Sequence, residues 1–369
     1  MIYLDFNRTT PLAPSVQEAM DPYWSRHFLL PNQSHSHAQA IHEALEHARE
    51  GLAGMIGCEP FETVFTSGGT EANNLAIHGI FANKPPGHVL VSDLEHDSVA
   101  KACDALGPDW VVEVFPSGLD GCIDPNEVQT RLREDSRLVC LQAASPILGT
   151  IQPVREIADL CHTRGVLVHC DATQVFSKVP HSLEALRADT ISISGHKFYG
   201  PKGSGALYVR RGLELCPISF GEPREMGLRA GSENVPACIG LGAAAYLCGK
   251  CSSDVFDNLG ELRDILANGL VKNIPGAAVL CQDSIRLPNT LAIRLPIQAS
   301  ALRTRCRQLV FNSAQSEAPP DEMTRSLRAI GLADSEISRT ATFSVGWTTS
   351  RDQIASAVEM ISDACEAGI

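Results

Sequence analysis

The stretch Val166–Gly205, VLVHCDATQVFSKVPHSLEALRADTISISGHKFYGPKGSG, decides the fold. It holds two short apolar runs, Val166–His169 and Thr190–Ile193. Asp171 and Gln174 follow the first; Ser194, His196 and Lys197 follow the second. Runs of this length, bounded by Gly, Asp and Pro and separated by a helix-sized connection, read as neighbouring strands of a buried α/β sheet. Ligands of open α/β sheets bind outside the carboxyl ends of the strands, so Asp171 and Lys197 are expected to face one crevice.

A carboxylate and an amine so placed are the two groups that a pyridoxal phosphate (PLP) site needs. The Lys binds the cofactor aldehyde covalently. The Asp faces the pyridine nitrogen and keeps it protonated, so that the ring accepts electrons from a carbanion on a bound amino acid. Alone, Asp171 reads as a helix N-cap and Lys197 as a solvated side chain; their pairing reverses that reading. A third element agrees. Thr63–Thr66 reads as a strand that Ser67-Gly68-Gly69-Thr70 turns into a helix beginning near Glu71. Glycines let a backbone approach an anion closely, and the free amides of a helix start suit a phosphate.

These motifs carry a resemblance. Gly68-Gly69-Thr70-Glu71-Ala72-Asn73-Asn74, Glu95-His96, His169-Cys170-Asp171-Ala172-Thr173-Gln174, Ser194-Gly195-His196-Lys197 and Arg229-Ala230-Gly231-Ser232 closely resemble the cysteine desulfurases, a branch of the class V aminotransferases. The match runs from Tyr3 almost to the C-terminus. It implies an α/β chain of PLP-dependent transferase fold type I. A large domain with a mostly parallel central sheet would span 13–250, and a smaller α/β C-terminal domain 251–369, joined by the N-terminal segment 1–12. It implies Lys197, His96 and Asp171 as catalytic residues, with His96 stacked on the pyridine ring. Gly69, Thr70, Gln174, Ser194 and His196 would hold the cofactor with them. Ser232 would complete the phosphate site of a second subunit, which makes a homodimer with composite sites the expected assembly.

The departures lie on the substrate side. The family's Asn-Asn-Glu becomes Ser145-Pro146-Ile147, and Pro146 offers no donor where the second Asn would contact the cofactor oxygen. The family's Ser-Gly-Ser-Ala-Cys segment supplies the thiolate that carries sulfur as a persulfide. Here Phe311-Asn312-Ser313-Ala314-Gln315-Ser316-Glu317 puts Gln315 in the nucleophile's place, and a carboxamide is not a sulfur nucleophile. Thr342 aligns with the Arg whose planar fork grips the substrate carboxylate. Asn7, near a segment with Phe6 and Arg8 where the family has His and Ala, and Arg229 complete the substrate-side candidates. Arg339 and Arg351 are the nearest replacements in sequence for the lost Arg. Cys306 is the nearest thiol, expected on a helix.

Three functions follow as expectations. The first is a PLP enzyme acting on an amino acid such as cysteine, releasing sulfur or selenium or running related lyase or transferase chemistry without the usual enzyme persulfide. The second is a catalytically silent homologue serving as a binding or regulatory partner. The third is a desulfurase whose thiol comes from a partner, with a sulfur-acceptor protein as a further possible partner.

Composition sets the frame. The 369 residues are 44% hydrophobic and 20% charged, and the net charge of −13 argues against nucleic-acid or anionic-membrane partners. Thirteen cysteines without secretory spacing suggest reduced thiols in a cytoplasmic protein. No apolar run approaches the ~20 residues that span a bilayer. His42 and His47 sit five residues apart and read as a solvated helix surface, and Cys248-Gly-Lys-Cys251 lacks a second ligand pair, so no metal site is expected.

Overall fold

The computed structural model describes residues 1–82, 84–180, 186–314 and 320–367. Seven strands form the main sheet: β1 (Thr63–Thr66), β2 (His88–Ser92), β3 (Val111–Phe115), β4 (Ser136–Gln142), β5 (Leu167–Asp171), β6 (Thr190–Ser194) and β7 (Gly205–Val209). Their spatial order is β1-β7-β6-β5-β4-β2-β3. Only β7 runs against the rest, pairing antiparallel with both β1 and β6. Two reversals restore direction, so β1 ends at the same sheet edge as β5 and β6. The central strands carry near-continuous apolar runs such as Leu138–Leu141 because helices cover both faces. β3 is the exception: as an edge strand with Val111 and Val114 exposed, it lacks that signal and is missed by periodicity.

Helix Ser36–Ile56 turns Ile41, Leu45, Ala48 and Leu52 inward, as their spacing predicts. It packs on Val235–Gly249, an almost wholly apolar helix buried along most of its length. No single helix among the described residues is long and apolar enough to cross a membrane.

A second core gathers Leu259, Leu262, Leu266 and Leu270 of helix Ser253–Asn273 against Ile354, Ala357 and Ile361 of helix Arg351–Glu366. Four antiparallel strands lie over it, in the order Ala278–Val279, Thr290–Arg294, Thr340–Ser344, Asn312–Ser313. The N-terminal segment joins the two cores. Ile2–Tyr3 pairs parallel with Leu309–Val310, and Asp5 bridges Ser344. Leu4 enters the second core, and Phe6, in the turn that follows Asp5, enters the first. Trp347, stacked on Tyr199 at 3.9 Å, bolts the cores together again.

Candidate active site

The carboxyl ends of β1, β2, β4, β5 and β6 open onto one cavity of 280 Å³. Its walls include Asp5, Asn7 and Arg8 from the N-terminal segment and Asn312 and Glu322 from the C-terminal part. After β1 the backbone turns through Gly68, whose φ of 151° favours glycine, into helix Gly69–Phe81. No side chain caps that helix, so its first amides stay available beside Thr70, Ser194 and His196. Gly205 makes the turn possible, because a Cβ there would lie 2.5 Å from Gly68 Cα.

Asp171 is held by a relay. Its Oδ1 accepts from the Thr173 amide at 3.0 Å and its Oδ2 from Asn73 Nδ2 at 2.9 Å. Asn73 Oδ1 faces His169 Nε2 at 2.9 Å, and His169 Nδ1 faces Thr190 Oγ1 at 2.9 Å. A carboxylate only accepts, so the amide must turn its NH2 to Asp171, its oxygen must then accept, and His169 must carry its proton on Nε2. Complete burial pushes His169 down to about 4, so the ring is neutral. Asn73 also donates to Ser98 Oγ, which lies 2.8 Å from His96 Nδ1. The Ser98 amide donates to that same Nδ1, which leaves Nε2 to carry the His96 ring proton.

Lys197 follows β6 in a short 3-10 turn, Gly195–Lys197, and its Nζ donates to the carbonyls of Asn7 at 2.7 Å and Arg8 at 3.0 Å. Burial lowers the amine's pKa and Arg8 adds to this, against the pull of Glu322 and Asp171. Burial raises Glu322, and its Oε1 has no hydrogen-bond partner among the described residues. Burial likewise lifts Asp5 to about 6, opposed by Arg8, Lys197 and Arg303. Behind the wall, burial and the Asp171 charge raise Glu95 well above the carboxylate range. Gln174 donates to the Asn7 carbonyl at 3.1 Å and accepts from Lys178, whose pKa burial pulls well below the usual amine range. Burial and the surrounding lysines hold His196 down at about 4.

Of the expected residues, Gly69, Thr70, His96, Asp171, Gln174, Ser194, His196 and Lys197 line this cavity, as does Pro146. The substrate-side candidates are more dispersed. Asn7 lines the cavity, yet its side chain is occupied by Pro146 O, Thr290 Oγ1 and Asn289 Nδ2. Thr342 is buried and donates to the Ile147 carbonyl at 3.0 Å, so it turns away from the cavity. Arg229 pairs with Glu71 at 2.7 Å outside the cavity, and Ser232 is exposed on the same loop. Gln315 lies outside the described residues. Arg351 pairs with Glu261, Arg339 is exposed, and neither lines the cavity. Cys306 caps the helix Ala299–Arg305 and is buried with its Sγ toward Met360 O. The motifs contained Asn73 and His169 without revealing their relay; Asn73, one helical turn after Gly69, was the signal. Arg8, Asp5 and Glu322 had none.

The donor set fits PLP: a glycine-lined helix start for the phosphate, a fixed carboxylate, and a lysine with a lowered pKa, all on one cavity. The sequence model for Aminotransferase class-V matches residues 2–302. Cysteine desulfurase IscS of Dictyoglomus turgidum is 38% identical over 295 residues, covering 79% of this chain and 74% of that one. A cysteine desulfurase of Nostoc sp. is 33% identical over 372 residues, covering 99% and 93%. Among solved structures, a NifS-like protein superposes with a TM-score of 0.92 at 29% identity, covering 99% of both chains. SspA in complex with cysteine gives 0.83 at 31%, covering 94% and 99%. With the cavity and these likenesses together, the chain belongs to the class V aminotransferases, in their PLP-dependent cysteine desulfurase branch of fold type I.

Proposed function

We propose that the protein is a PLP enzyme that acts on an amino acid such as cysteine and releases sulfur or selenium without forming a persulfide on itself. The observation that carries this reading is a division within one chain. The cofactor-side residues converge on the cavity, while no cysteine stands anywhere between Cys306 and Cys365. A persulfide needs a mobile thiolate, and Cys306 is buried, with burial raising its thiol further from ionisation.

Bound at this site, the cofactor supplies an electron sink for charge that develops on the substrate α-carbon. The chain's own groups do the rest. Lys197, favoured in its unprotonated form by burial, takes the α-proton. Asp171, oriented by Asn73, holds the ring end of the site. Glu322, on the same cavity wall and with its carboxyl raised by burial, is the acid placed to exchange a proton with the product. In an elimination the Cβ–S bond breaks with its electron pair going to sulfur, which leaves as sulfide. The loop carrying Arg229 and Ser232 would complete the phosphate site of a second copy, giving composite sites, in a cytoplasmic protein. An acceptor thiol, free or on another protein, belongs to the alternative course: it attacks the substrate sulfur, the Cβ–S electron pair goes to carbon, which takes a proton to give alanine, and the thiol departs as a persulfide.

The test is the visible spectrum of the holoenzyme before and after L-cysteine, with alanine, pyruvate and sulfide assayed together. Pyruvate with sulfide is the expected result. Alanine whose yield depends on added thiol would replace elimination with a desulfurase using an outside nucleophile. An unchanged band with no product would overturn cysteine as substrate.

A further inference from the structure

Any amino acid entering this cavity brings an α-carboxylate, and that charge needs a cation. The cavity wall offers four basic side chains: Arg8, His96, His196 and Lys197. Lys197 is reserved for the cofactor aldehyde, His196 is neutral at about 4, and the Nδ1 of His96 is occupied by the Ser98 amide. Arginines near the cavity are taken: Arg303 by Ser313 Oγ, Arg325 by Asp97, Arg229 by Glu71. Arg8 differs. It lines the cavity, it is exposed, and its guanidinium makes no hydrogen bond or ion pair among the described residues. Its backbone is fixed beside the chemistry, since the Arg8 carbonyl accepts from Lys197 Nζ at 3.0 Å.

We propose that Arg8 is the carboxylate grip of this enzyme, replacing from the N-terminal segment the cation that Thr342 cannot supply. The inference rests on the amino-acid reading above. It also names a substrate class. Asp5 and Glu322 share the cavity with Arg8, so a second carboxylate on the substrate would meet acids and find no second free cation among the described wall residues. The fitting substrates are amino acids with one carboxylate and a neutral or basic side chain. Arg8 is then a specificity residue, with its planar fork suited to bidentate contact.

The experiment uses two probes that each carry half of cysteine. Calorimetry on the PLP-loaded protein measures 3-mercaptopropionate, which has the carboxylate and no amine, and the cofactor band follows cysteamine, which has the amine and no carboxylate. Arg8→Ala should weaken 3-mercaptopropionate binding roughly tenfold to a hundredfold, the value of a charge-assisted contact, and leave cysteamine titration and thermal stability unchanged. Arg8→Lys should recover only part of the loss, and mercaptosuccinate should bind the parent protein more weakly than 3-mercaptopropionate. Equal 3-mercaptopropionate affinity in parent and Arg8→Ala, or none in the parent, overturns the proposal. A cofactor band that ignores cysteamine in both proteins refutes the amino-acid reading and, with it, the substrate role of Arg8; the carboxylate arm separates the two failures.

Discussion

Asn73 Nδ2 stands 2.9 Å from Asp171 Oδ2, and this one contact ties the orientation of the cavity-wall carboxylate to a buried neutral histidine. Replacing Asn73 by Ala strands both Asp171 Oδ2 and His169 Nε2. A hydrogen bond to a charged group contributes about 1.5–3 kcal/mol. Asn73→Ala should therefore release the cofactor about tenfold more readily, read as loss of visible absorbance on dialysis. Retention equal to the parent would mean that Thr173 alone orients the carboxylate.

Lys197→Ala removes the proposed covalent anchor and the proposed proton acceptor together. The variant should show no cofactor band that survives borohydride treatment and acid denaturation, and turnover should fall at least ~1,000-fold, combining nucleophilic and base contributions. Any retained covalent cofactor would move the anchor elsewhere, and Lys178, amine buried and tied to Gln174, is the residue to examine next.

Acid should loosen the fold through His169. Its pKa falls from 6.5 in the unfolded chain to about 4 in the native state, so between those values the unfolded chain binds the extra proton. Stability is fully present above pH 6.5 and is lost as pH falls towards 4, by at most about 1.4 kcal/mol per pH unit for this site. Asp5 acts in the opposite sense: its carboxyl is raised from 3.8 to about 6, so its burial penalty is relieved on the same descent. The Asp5→Asn variant should thus lose more stability than the parent between pH 6.5 and 4, which urea melts at a series of pH values will resolve.

Gly205→Ala sets a methyl group 2.5 Å from Gly68 Cα and Ile193 O, both backbone atoms that cannot step aside alone. Overpacking of this kind costs about 1–3 kcal/mol. Weaker inorganic phosphate binding should accompany the lower melting temperature, because the displaced atom belongs to the helix-start cradle.

Glu322→Gln preserves shape and removes a titratable carboxyl that burial raises. Product release should slow while the cofactor band stays intact, and the limb of the pH profile governed by this acid should disappear. An unaltered profile would leave Glu322 with a packing role only.

Much of this arrangement was legible in the chain because strand-end chemistry is local: Asp171 ends β5 and Lys197 follows β6 within a few residues, and Gly68-Gly69 announces the turn into the helix. The relay was not legible, since Asn73 and Asp171 are far apart in sequence and meet only when helix Gly69–Phe81 crosses β5. Alignment placed Thr342 opposite a substrate-binding Arg, but its hydroxyl turns to Ile147 O, a choice set by packing. Arg8 carried no signal of its own; its importance depends on which other arginines already have partners. Helix Glu322–Ala329 is capped by Asp321, which accepts from Thr324 N.

The pairing of Ile2–Tyr3 with Leu309–Val310, and of Asp5 with Ser344, has a kinetic meaning. The residues that lend Lys197 its two carbonyl partners can settle only after strands some three hundred residues later exist to receive them. Contacts so distant along the chain form late. During synthesis the main sheet has every strand it needs long before the cavity has its front wall, so a growing chain would hold a sheet and an open cleft but no finished cofactor pocket until its final strands emerge.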